Sequence, residues 1–289
     1  MQYPNRKQSN ESHIKICHTA PASILPDVSQ FTDFDHAFVD LFDSNKEYYN
    51  YYKNAISNGR IVILNCSTFR SKEPYDFEKY AEYIRDLKPY GYVVPDVNDD
   101  CEQTLANLRS WKKKYYDEFD GKCNSIGVVQ AKTYKQFLKC YHYMAKWTDR
   151  VAFAWDCLVY EKFYMRGEWT RSTNYTSVLA YGRQALLQKL FDEGNIDVAV
   201  PHDLLGCALP HDVRYYKHYD WIHSITTSHP VISGMAGWNY TKMGSENAFG
   251  IEKKSNTTIA EVVADEVLSS YNYEKIMNNI KWFHLTLNA

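Results

Sequence analysis

At 289 residues the chain has room for one large domain with a sizeable core, and α/β barrels of this length are common. Its 33 Lys and Arg against 35 Asp and Glu leave a formal net charge of −2, which excludes a globally basic nucleic-acid coat but not a local basic groove. The seven Cys (17, 66, 101, 123, 140, 157 and 207), with no CxxC among them, suit a reducing compartment and argue against a structural zinc site.

The first residues, MQYPNRKQSNES, are polar throughout, so they predict a flexible tail over 1–12 rather than a secretory signal, with the domain at 13–289. No apolar run reaches the roughly 18 residues of a membrane span, and the expectation is a cytoplasmic protein with no membrane partner. Beyond the tail, short β-like runs alternate with helical spacing. The predicted strands are Ile14–His18, Arg60–Asn65, Tyr92–Asp96, Ile126–Gln130, Val151–Trp155, Asp197–Val200, Ile222–Thr226 and Val231–Trp238. Between them, Phe77, Tyr80, Ala81, Ile84 and Leu87 share one helical face. Leu105, Leu108, Trp111 and Tyr115 share another, and Tyr134, Phe137, Leu138, Tyr141 and Met144 a third. Helical spacing returns at Thr258–Ser270 and again from Tyr273. Eight strands, most followed by a helix, predict a single-domain (β/α)8 TIM barrel. A doubly wound open sheet is weaker, because no GxGxxG follows the first strand.

A barrel meets its ligands at the carboxyl ends of its strands, where the loops are free to vary. The residues expected there are His18, Asn65, Asp96, Gln130, Asp156, His202 with Asp203, and Thr226 with His229. Amides and carboxylates aimed at one point suit a flat heterocycle, whose edge offers donors and acceptors in a plane. No P-loop, nucleophile elbow or HExxH is present, so phosphoryl transfer, serine hydrolysis and zinc peptidase chemistry lack support. Each residue also has a plainer use. Asp96 and Asp203 fit as helix N-caps. Asp156 could pair with Arg150 or Arg166. Trp155 could be barrel core rather than a stacking platform, and Asn65, Gln130 and Thr226 could simply bind backbone. The basic clusters at Arg109–Lys114, Lys132–Lys146 and Arg166–Arg171 suit solvated faces or phosphate contacts. Arg166 and Arg171, in a loop after the Asp156 strand, would lie on the catalytic face.

Four segments in order, VVPDV, GVVQAKTYKQFLKCYHYM, HDLLGCALPHDVRYYK and SITTSHPV, resemble the tRNA-guanine transglycosylase superfamily between Ile61 and Gly237. The likeness is to its short phage and bacterial members, including the DNA-7-deazaguanine transglycosylases. The resemblance implies a TIM barrel that cleaves the N-glycosidic bond of a flipped-out nucleotide. Asp96 and Gln130 would read the base edge, and the turn from Leu204 to Gly206 would pack over the base. The family's catalytic carboxylates are replaced: its acid–base Asp motif reads Asn65-Cys66-Ser67-Thr68-Phe69, its nucleophile position is Thr226, and its zinc-binding Cys/His cluster is missing.

Base exchange traps the sugar carbon on a carboxylate, a step that Asn and Thr serve poorly. The departures therefore point to excision by water: a DNA glycosylase, needing no cofactor, that removes a modified base. Asp156 or Asp203 would stabilise the cationic sugar or activate water, with Asn65 and Thr226 lining the sugar. DNA is the expected partner before tRNA, phage DNA with modified bases in particular, and antiviral defence is the setting that analogy suggests. A transglycosylase inserting a 7-deazaguanine into DNA or tRNA, and a non-catalytic nucleic-acid-binding barrel, are the alternatives.

Overall fold

The computed structural model describes residues 12–66, 75–164, 175–207, 210–241, 244–245 and 269–288. Eight parallel strands run in it: β1 (Lys15–His18), β2 (Asp35–Phe38), β3 (Val62–Asn65), β4 (Gly91–Val93), β5 (Asn124–Val129), β6 (Arg150–Ala154), β7 (His202–Leu205) and β8 (Ile222–Thr227). Each pairs with its neighbour in sequence from β2 to β8, and β8 returns to pair with β1. The seam between β1 and β2 carries no ladder. Asp33 bridges it instead, its backbone N–H donating to the Ile16 carbonyl at 2.8 Å and its carboxylate accepting from the Ile16 N–H at 2.8 Å. The chain is thus a (β/α)8 TIM barrel.

A helix follows every strand: α1 (Leu25–Val28), α2 (Lys46–Ser57), α3 (Phe77–Leu87), α4 (Cys101–Phe119), α5 (Tyr134–Trp147), α6 (Tyr175–Asp192), α7 (Pro210–Tyr216) and α8 (His229–Met235), with α9 (Ser270–Asn288) packed beyond. The predicted helical faces are the buried ones. Tyr80, Ala81, Ile84 and Leu87 of α3, Leu105, Leu108, Trp111 and Tyr115 of α4, and Phe137, Tyr141 and Met144 of α5 all pack inward. Asp76 caps α3 by accepting from the N–H groups of Glu78 and Lys79, and Thr133 caps α5 from Gln136. Among the described residues no helix is long and apolar enough to cross a membrane.

Strand alternation divides the core in two. Residues such as Ile16, Leu64, Phe153, Leu204 and Ile225 face the helices in one large cluster. Cys17, Ile63, Val93, Ile126, Val128, Ala152 and Ala154 fill the barrel interior. Towards the amino ends of the strands that interior turns polar. Asp203 accepts from Arg150 Nε at 2.8 Å and from its Nη2 at 2.6 Å, while Ser224 Oγ donates to it at 2.5 Å.

Two predicted strands are corrected, and one strand went unpredicted. Asp197–Val200 is a turn with Val198 56% exposed, and the strand begins later, at His202. Val231–Trp238 falls instead on α8, which starts at His229–Pro230 and ends at Met235, and on the turn that follows it. Proline suits the first helical turn, where its missing N–H has no partner to lose. Gly234 lets this helix lie against α9, since a Cβ there would sit 2.5 Å from the Ile276 backbone nitrogen. The strand left unpredicted is β2, Asp-His-Ala-Phe. Its polar start is tolerated because Arg60, 25 residues on, donates to the buried Asp35 carboxylate at 2.8 Å. Of the predicted tail over 1–12 only Ser12 is described, and the predicted helix at 258–270 falls almost wholly outside the described residues.

Candidate functional site

The carboxyl ends of β3 to β6 gather a polar group at one side of the barrel mouth. Asn65 is the last residue of β3 and is buried. Asp96 follows β4, Gln130 follows β5, and Trp155 with Asp156 follow β6. Gln130 Nε2 donates to Asp96 Oδ2 at 2.7 Å, both residues being buried, so two strands present a joined carboxylate and amide. The other side of the same amide, Oε1, accepts from the Asp99 N–H at 3.0 Å.

Asp99 is a site residue that the sequence reading missed. It holds a left-handed backbone, φ +56°, which Asp tolerates better than most residues, and its carboxylate accepts from the Leu158 N–H at 2.7 Å. Its signal was the turn-forming run Val97-Asn98-Asp99-Asp100. Cys157 Sγ donates to the Ala131 carbonyl at 2.9 Å. The loops after β4, β5 and β6 are therefore knitted to one another.

These carboxyls are hard to ionise. Burial pushes Asp96 up from 3.8 to about 6, with the charge of Asp156 adding to it. Burial does the same to Asp156, also to about 6, with Asp99 adding to it. Asp99 is itself raised by burial, against the lowering pull of Lys132. Two adjacent carboxyls that exchange protons near neutrality are what acid–base chemistry needs. Among the described residues no three His, Cys, Asp or Glu are arranged to hold a metal ion.

On the β7–β8 side the mouth is clamped rather than charged. Thr226 Oγ1 accepts from the Gly206 N–H at 3.0 Å. Gly206 has φ +92°, and a Cβ there would lie 2.6 Å from that of Trp155, so both backbone and space require glycine. Its carbonyl accepts from Arg183 Nη1 at 2.8 Å. Arg183 is wholly buried, with its guanidinium 4.9 Å from the Trp155 ring centroid and 5.5 Å from that of Tyr216. It also donates to Tyr216 Oη at 3.2 Å and to Asp212 at 3.4 Å. This residue too was missed, though its signal is plain: one Arg set among Leu179, Leu186, Leu187 and Leu190 on the buried face of α6.

The predicted site divides accordingly. Asp96, Gln130, Asp156, Asn65, Thr226, Gly206 and Trp155 lie at the mouth. Asp203 does not. It is the second residue of β7, deep in the barrel, and it rather than Asp156 is the partner of Arg150. Leu204 faces the helices with no exposure and cannot cover a base at the mouth. His202 opens β7 and stacks on Phe153 at 5.4 Å, while His229 begins α8. Arg166 and Arg171 lie outside the described residues.

The buried pair gives a first expected result. Asp203→Ala strands a cation with 14% side-chain exposure, and should cost about 3–5 kcal/mol in urea denaturation. Activity per folded molecule should not change; a stable variant that has lost activity would return Asp203 to the site.

No protein-family model matches the chain, and no curated protein matches it.

Proposed function

We propose that this barrel hydrolyses the N-glycosidic bond of a nucleotide presented at its mouth, excising a base from DNA. The observation that carries the reading is the pair Asp96 and Asp156, two neighbouring carboxyls each raised to about 6, with the Gln130 amide bound to the first. Asp96 and Gln130 offer a planar donor–acceptor edge of the kind a nucleobase edge can match. Asp156, half-buried beside them, has the exposure to meet a sugar and water.

In this mechanism the bond from C1′ to the base nitrogen breaks with its electron pair leaving on the base. The departing base takes a proton from a protonated carboxyl. An ionised carboxylate stabilises the positive charge that develops on the sugar, and water then attacks C1′ and gives up its proton to the carboxyl that had protonated the base. Free base and an abasic sugar result, with one water consumed. Asn65 and Thr226 have no carboxylate with which to trap the sugar covalently, which favours water over base exchange. DNA from phages with modified bases is the first substrate to try, since both positions differ from the transglycosylase pattern.

The test is mass spectrometry of bases freed from plain DNA, modified phage DNA and bulk tRNA, with and without added 7-deazaguanine. Release without a replacement base, leaving abasic sites, supports the reading. Turnover only with the replacement base would make the protein a transglycosylase, and no release anywhere would leave a binding barrel. The rate should follow a bell centred near pH 6, because the active form holds one proton between two coupled carboxyls. Asp156→Asn should remove one limb of the bell and slow release by about 10²–10⁴-fold. A rate indifferent to pH between 4 and 8 would remove both carboxyls from the chemistry.

A further inference from the structure

The outer wall beside the mouth carries a charge pattern that the barrel does not require. Helix α5 contains no Asp or Glu in its 14 residues. Lys135, Lys139, His142 and Lys146 are all exposed and recur at steps of four, three and four, so they form one line along the solvent face. Successive members are about one helical turn, or roughly 5.4 Å, apart. The line points at the mouth. Exposed Lys132 continues it to within two residues of Gln130, close enough to lower Asp99 electrostatically.

Helix α4 adds cations and the two helices share aromatic rings. Lys112 Nζ lies 4.5 Å from the centroid of the Trp147 ring, which Lys146 also approaches at 5.2 Å. Arg109 lies 5.9 Å from the Tyr143 ring. Trp147 is 41% exposed although it is large and apolar. Among the described residues one cation of the line, Lys139, is held in an ion pair, with Glu102.

We propose that this line is a track for a single nucleic-acid strand running between the barrel mouth and Trp147. A row one side chain wide, with Lys135, Lys139 and Lys146 as its cations and His142 between the last two, follows one phosphate backbone. The exposed Trp147 ring and the half-buried Tyr143 ring beside the cations suit bases that stack without sequence preference. A lipid surface would call for an apolar face beside the lysines, whereas the apolar face of α5 is turned into the core at Phe137, Cys140, Tyr141 and Met144. The direction of the track rests on the preceding reading of the mouth as the nucleotide site; the binding itself does not.

The test uses the full chain and a fluorescein-labelled single-stranded DNA of about 20 nucleotides, with anisotropy read across a salt series. Lys135→Gln, Lys139→Gln and Lys146→Gln together should weaken binding about tenfold or more at low salt. Three phosphate contacts fewer should also flatten the slope of log affinity against log salt by about 2. The corresponding triple Lys→Arg variant should keep both. Trp147→Ala should weaken binding about fivefold without changing the slope. Unchanged affinity and slope in the triple Gln variant would overturn the track. So would a variant that keeps its DNA affinity but loses binding to vesicles of anionic lipid. Base release is scored separately: a chain that binds DNA through the lysines yet frees no base keeps the track and rejects the glycosylase, and the converse rejects the track alone.

Discussion

Asp96→Asn should abolish base release and at the same time make the folded protein more stable at neutral pH. The carboxyl rises from 3.8 to about 6 because it is buried, so the folded chain binds its proton more tightly than the unfolded chain does. Between those two values the folded state carries more protons, and stability falls as pH rises. The contribution is whole below about pH 4 and has gone once pH passes the folded value of about 6. At about 1.4 kcal/mol per tenfold change in proton binding, an ionised Asp96 costs up to about 3 kcal/mol at pH 7. Asparagine has the same shape, carries no charge, and can still accept from Gln130 Nε2. Urea denaturation at pH 4 and pH 7 checks this: the wild type should lose stability between them by more than the variant does. A variant that is less stable than wild type at pH 7 would make Asp96 a structural carboxylate and withdraw it from the site.

Arg183→Ala should be the most damaging single change at the mouth that touches no substrate. It leaves Asp212 buried at 1% side-chain exposure without its cation, and it takes a donor from the Gly206 carbonyl. Breaking a buried pair from one side costs about 3–5 kcal/mol, and lost packing against Trp155 and Tyr216 adds to it. Adding Asp212→Ala should recover part of the loss, because the second change removes the stranded charge. Purely additive losses in that cycle would show that the two residues do not depend on each other.

The barrel could be read from the chain because six of its strands carry apolar runs set between helices of clear period. The apolar faces of α3, α4 and α5 were likewise open to view, since each repeats over three turns. What stayed hidden was every element whose burial depends on a distant charge. β2 looks too polar for a strand until Arg60 is beside Asp35, and His202-Asp203 looks like a strand end until Arg150, 53 residues earlier, is found beside it. A period-two pattern reports apolar residues and is blind to a carboxylate neutralised from elsewhere in the chain. The same blindness moved Asp203 into the predicted site and left Arg183 out of it. Asp96, Gln130 and Asp156 were placed correctly at the mouth because each follows a strand whose apolar run is unbroken. Their mutual hydrogen bonding and the part played by Asp99 were not visible, since these are set by the curl of three loops.

The ring of strands has one joint of a different kind. Between β1 and β2 the sheet is fastened through Asp33 alone rather than by a ladder, and in a ring of eight the strands diametrically across from that joint are β5 and β6. Gln130 and Asp156 extend from those two, with Asp96 beside them on β4. The joint without a ladder and the acidic cluster are thus set half a circumference apart. A change of girth can be taken up at the joint while the spacing of the two carboxyls stays fixed by paired strands on either side.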